Sequence, residues 1–130
     1  MELNILVDRG GAGVVTLSAV GRINQENHEQ FDKAIREVLS GSVKTLVFDM
    51  RGVEYISSAG VGVVVKAKAS MAEKKGEVAM VNLQPQVERV FEIIQLLPML
   101  NVFANVEELD DYLTTIQDRI IEEGTSLSSE

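Results

Sequence analysis

The stretch from Val47 to Gly62, VFDMRGVEYISSAGVG, constrains the fold more than any other part of this chain. An apolar run ends at Asp49, a short polar turn is expected around Arg51-Gly52, and a second apolar pair leads into Ser57-Ser58-Ala59-Gly60. That order of residue types places hydroxyls and small residues at the exit of a strand, where a helix begins. The orphan N–H groups of such a helix start favour an anion or the acceptors of a partner. The segment therefore reads as a surface for contact or modification.

The rest of the chain supplies the elements around this corner. Leu3 to Asp8 and Val14 to Val20 read as strands joined through Gly10-Gly11-Ala12-Gly13, which makes an antiparallel hairpin. Asn24 is placed to cap a helix carrying Phe31, Ile35 and Val38, ended by Ser40-Gly41-Ser42. Thr45 to Met50 has the nearly unbroken apolar character of a strand covered on both faces. From Ser58 to Lys75 valines give way to strong helix formers with Gly76 as a stop, which predicts one helix with Val61, Val65, Ala69 and Ala72 inward.

Val78 to Val81 is a further buried strand, and Pro85 opens a helix carrying Val87, Val90, Phe91 and Ile94. Pro98 follows the end of that helix, and Asn101 to Phe103 reads as a short edge strand. Asn105 and Glu108 have capping-box spacing before a last helix with Leu109, Tyr112, Leu113, Ile116 and Ile120 on one side. Strands alternating with helices after a hairpin imply an α/β layer structure with a mixed sheet.

Composition narrows the function. A chain of 130 residues is expected to form one domain with a sizeable core. No apolar run approaches the roughly 18 residues of a membrane span, and the N-terminus lacks a signal pattern, so a cytoplasmic protein with no membrane partner is expected. Cysteine is absent, which excludes a disulfide or a thiolate metal site. The formal net charge of −8 argues against nucleic-acid binding. Lys66, Lys68, Lys74 and Lys75 read as a solvated helix face.

Catalytic patterns are missing. The lone histidine, His28, lies at a helix boundary, Gly-x-Ser-x-Gly does not occur, and Gly60-Val61-Gly62 lacks the third glycine of a dinucleotide fingerprint. The acids Glu107, Glu108, Asp110 and Asp111 complement the dipole of the last helix's first turn and need no metal. Asp49 has two readings, a functional group at a strand end or a brace of the Arg51-Gly52 turn. Ser57 and Ser58 likewise serve as helix caps or as hydroxyls able to accept a phosphate.

Phe48 to Gly62 resembles the core motif of STAS domains, the bacterial anti-sigma factor antagonists, and Gly21-Arg22-Ile23-Asn24 resembles the family's earlier Gly-x-Leu/Ile-Asp segment. The resemblance implies an α/β fold with a STAS-like single-layer mixed sheet of about five strands and four to five helices. The resemblance covers about residues 3 to 120, within a domain set at 1–123, and the Ser-rich stretch 124–130 reads from its composition as a flexible C-terminal tail. The resemblance also implies a binding module without catalysis or cofactor, a monomer or weak dimer. In that family the domain binds a switch kinase that is also the anti-sigma factor, and so releases a sigma factor. Phosphorylation of a Ser or Thr abolishes binding, and a phosphatase restores it.

The implied partner-binding residues are Asn24, Asp49, Ser57, Ser58, Ala59, Gly60, Val61 and Gly62. Registering Gly60-Val61-Gly62 on the family's glycines puts Ala59, which has no hydroxyl, at the usual phosphoacceptor, while Ser57 and Asn24 stand at acidic positions. Either Ser58, or next Ser57, takes the phosphate, or binding is constitutive or controlled otherwise. A scaffold role in a multi-protein signalling complex and a small-anion or nucleotide-binding role are the competing readings.

Overall fold

A computed structural model describes residues 3–96 and 100–114. Its centre is a five-stranded mixed sheet in the sequential order β1-β2-β3-β4-β5. The strands are β1 (Asn4–Arg9), β2 (Val14–Ile23), β3 (Thr45–Ile56), β4 (Glu77–Val81) and β5 (Asn101–Phe103). β1 and β2 form the antiparallel hairpin, and each later strand adds in parallel through a helical crossover. The helices are α1 (His28–Leu39), α2 (Ser58–Glu73), α3 (Pro85–Ile93) and, among the described residues, α4 at 106–114. The mixed sheet implied by the resemblance is observed.

Two apolar layers hold the sheet. On one face Phe31, Ile35 and Val38 of α1, Val64, Ala67 and Met71 of α2 and Val87 and Phe91 of α3 pack on Leu17, Leu46, Phe48, Met50 and Met80. The Phe31 and Phe48 rings meet at 5.8 Å between centroids, tilted by 58°, the offset geometry that aromatic quadrupoles prefer. On the other face Leu109 of α4 covers Val47, Ala79 and Val81. The last helix starts as its capping-box spacing predicts: Glu108 N–H donates to Asn105 Oδ1 at 3.0 Å. The return bond goes to the Glu108 carboxylate from Ala104 N–H at 2.8 Å. Ile116, Ile120, Pro98 and the tail lie outside the described residues.

Two expectations are corrected. The polar turn expected at Arg51-Gly52 is absent, and β3 runs unbroken to Ile56. Its pairing with β2 continues to Ile23↔Ile56, absorbing register shifts between Ser18 and Val20 and between Gly21 and Arg22. Gly52 is small for another reason: an added Cβ there would meet Val20 Cγ2 at 2.8 Å. Beyond Asp49↔Val81, β3 has outrun β4, and its bare edge is covered by side chains. Gln84 Nε2 donates to Arg51 C=O at 2.7 Å and Gln86 Nε2 to Glu54 C=O at 3.1 Å.

The second correction concerns α2. It buries Gly60, Val61, Val63, Val64, Ala67 and Met71, whereas Val65, Ala69 and Ala72 face outward. Valines and alanines surround this helix on nearly every side, so sequence periodicity offers little contrast to orient it.

Candidate functional site

β2 and β3 end side by side at Ile23 and Ile56, and this shared end fixes where α2 begins. Ser57 N–H donates to Ile23 C=O at 2.8 Å, which locks the first residue after β3 onto β2. Its extended backbone, with φ −85° and ψ 170°, makes Ser57 the N-cap. The hydroxyl Oγ accepts the Gly60 N–H at 3.2 Å, and Ser57 is only 9 % exposed. One of the four orphan donors of the helix start is thereby satisfied internally.

Gly60 sits where α2 lies directly against the ends of β2 and β3. A Cβ at this position would come within 2.6 Å of Ile23 Cγ2 and 2.7 Å of Ile56 Cγ1. Val61, 4 % exposed, packs into the same core. Gly62 is different: it is exposed, and an added Cβ would meet nothing within 4 Å. A glycine inside a helix costs about 0.5–1 kcal/mol relative to alanine. No internal packing requires it at position 62.

Ala59, Gly62, Val63 and Lys66 of α2 face His28, Glu29 and Asp32 of α1 across a groove of about 330 Å³. Lys66 Nζ lies 3.6 Å from Asp32 Oδ2, which also accepts Arg36 Nε at 3.2 Å. Of these partly exposed pairs Arg36–Asp32 lies within α1, and Lys66–Asp32 links the two helices weakly. His28 opens α1, as its position at a helix boundary suggests, and its Nδ1 is buried without a hydrogen-bond partner. Ser58, the first residue of α2, is exposed at the lip of this corner.

Asn24 does not cap α1 as expected. The helix begins at His28 with Asn27 at the N-cap position. Asn24 instead braces the approach: its Oδ1 accepts the Glu26 and Asn27 N–H groups at 2.9 and 3.1 Å. Asn27 returns its own Oδ1 to the Asn24 N–H at 2.8 Å. The segment is an interlocked pair of Asx turns.

Asp49 is the predicted residue that the fold keeps away from this corner. It lies within β3, eight residues before Ser57 in one continuous strand, or roughly 25 Å along it at the usual rise. Its Oδ1 accepts Arg51 N–H and Asn82 Nδ2, both at 3.1 Å. The bracing reading of Asp49 describes its geometry, although what it braces is a strand. His28, Glu29, Asp32, Val63 and Lys66 join the site without having been anticipated. The α1 acids and Lys66 carry no sequence signal that would pair them, because only the crossover brings their helices together.

A STAS domain model matches residues 7–109. The chain belongs to the STAS domain family. BtrV of Bordetella bronchiseptica, assigned as an anti-sigma factor antagonist, is 31% identical over 96 residues, covering 74% of this chain and 82% of its own. The crystal structure of an anti-sigma factor antagonist from Mycobacterium paratuberculosis superposes with a TM-score of 0.76 at 24% identity, covering 89% of this chain and 95% of that one. SpoIIAA in its unphosphorylated form gives a TM-score of 0.73 at 20% identity, over 85% of this chain and 97% of its own. Both structural likenesses confirm the STAS fold. Among the described residues no helix is long and apolar enough to cross a membrane.

Proposed function

We propose that this STAS domain is an anti-sigma factor antagonist, a non-catalytic module that binds an anti-sigma factor acting also as a serine kinase, and so frees a sigma factor. The contact surface is the corner formed by Asn24, Ser58, Ala59 and Gly62 together with the groove-lining residues of α1. The observation that carries this reading is Gly62. It weakens its own helix, has open space around it, and borders the groove. A bare backbone at such a point suits the close approach of another surface. The relationship to BtrV, named for the same role, supports it.

Ser58 is the phosphoacceptor in this reading, because it is exposed at the start of α2 while Ser57 is buried as the cap. A phosphate on Ser58 meets the positive end of the helix dipole, so the fold tolerates it. The same charge and its hydration would have to enter a packed interface, so binding is lost. A phosphatase would reverse the switch. SpoIIAA, a distant structural relative from Bacillus, has been solved in a phosphorylated form.

Incubation with a partner kinase and Mg-ATP, followed by mass mapping, tests the assignment. Phosphate on Ser58 that disappears in Ser58→Ala and persists in Ser57→Ala is expected. A stable complex with no phosphate on either serine would leave binding intact and overturn the switch.

A further inference from the structure

Among the described residues, β5, the upper part of β3 and β1 all present strand edge that another chain could extend, and the first two are protected. β5 is only three residues long, Asn101–Phe103, and short edge strands pair poorly. The upper edge of β3 is closed by the Gln84 and Gln86 amides. β1 is different. It ends the sheet, spans six residues, and pairs with β2 at every position from Asn4↔Val20 to Arg9↔Val15 without a register shift. No proline, lysine or bulge interrupts it, and Ile5-Leu6-Val7 occupies its centre. Natural edges are normally blunted by just those devices.

Both faces of this edge are apolar at the middle. Leu6 is 68% exposed on the face away from α1. On the other face Ile5 and Val7 line a groove of about 570 Å³ with Ala34 and Val38 of α1. Arg9 and Glu37, of opposite sign, also border that groove.

We propose that β1 is the seam of a two-fold homodimer, pairing antiparallel with β1 of a second copy so that Leu6 faces Leu6. A two-fold axis normal to the sheet keeps each face on its own side, so only residues of the same parity can oppose one another. With Leu6 on the axis, Asn4 faces Asp8 of the second copy, an amide donor against a carboxylate, and Ile5 faces Val7. A slip that centres Val7 instead would set Leu6 against Asp8 and Ile5 against Arg9. Polarity and charge therefore select the Leu6 register. The overlap is five residues, about 17 Å at the usual rise, which falls at the small end of specific interfaces. The dimer is accordingly weak and concentration-dependent.

Sedimentation of the full chain between roughly 10 μM and 1 mM, concentrations suited to a small interface, is expected to show reversible dimerisation. Leu6→Lys should weaken it at least tenfold with the unfolding midpoint unchanged, since Leu6 supports no core contact. The chain has no cysteine, so single-cysteine variants report the register directly. Leu6→Cys should form an interchain disulfide under mild oxidation at least tenfold faster than Thr16→Cys, which lies on β2. A monomer at every concentration, a dimer indifferent to Leu6→Lys, or equal cross-linking of the two cysteines would overturn the proposal.

Discussion

Gly60 and Gly62 stand two positions apart and respond to substitution in opposite ways. At Gly60 a methyl group collides with Ile23 and Ile56, so Gly60→Ala should lower stability by about 1–3 kcal/mol, the usual range for overpacking. At Gly62 there is room, and Gly62→Ala should raise stability by about 0.5–1 kcal/mol through helix propensity. Urea denaturation of the two variants checks both signs. The neighbouring cap can be tested in the same way. Ser57→Ala removes the acceptor for the Gly60 N–H and should cost about 1 kcal/mol, whereas Ser58→Ala should stay within about 0.5 kcal/mol. The Gly-x-Gly pattern was legible in the sequence, but the separate roles of its glycines were not. They depend on which side of α2 lies against the ends of β2 and β3, a fact of packing and not of spacing.

At the scale of elements, the order of strands and helices could be read because hairpin turn chemistry, helix stops and apolar runs are local signals. The course of β3 could not. Arg51-Gly52 looks like a turn, yet parallel pairing with β2 holds it extended, and the glutamines that seal its open edge come from the start of α3, 33 and 32 residues after the carbonyls they reach. The inward face of α2 was hidden for a related reason: its valines and alanines are spread round the helix. This orientation predicts that Met71→Ala, fully buried, costs about 2–5 kcal/mol. Val65→Ala, on the outward side, should cost at most about 0.5 kcal/mol. Thermal or urea unfolding of both variants distinguishes the observed face from the alternative.

At the scale of the whole sheet, the two faces are unequally covered among the described residues. The α1–α2–α3 face encloses one large cluster, while the opposite cluster has, among the described residues, four buried members, Val47, Ala79, Val81 and Leu109. Local opening is easiest where buried apolar contacts are few. Native-state hydrogen exchange should therefore release the amides of β5 before those of β2 and β3. The net charge of −8 adds a long-range term, because an acidic module steers toward a basic surface. Association with the proposed partner should slow as salt is raised, through screening of the shared field. A rate that is flat or rises with salt would argue against charge-guided docking.

The docking corner itself is tested most directly by calorimetric titration of an anti-sigma factor kinase with the native chain and with Gly62→Leu. The leucine has open space to occupy on the folded domain, so the unfolding midpoint should hold or rise. Affinity should fall at least tenfold, because the side chain fills the approach beside Ala59 and His28. Equal affinity of the two proteins would contradict the assignment of this surface.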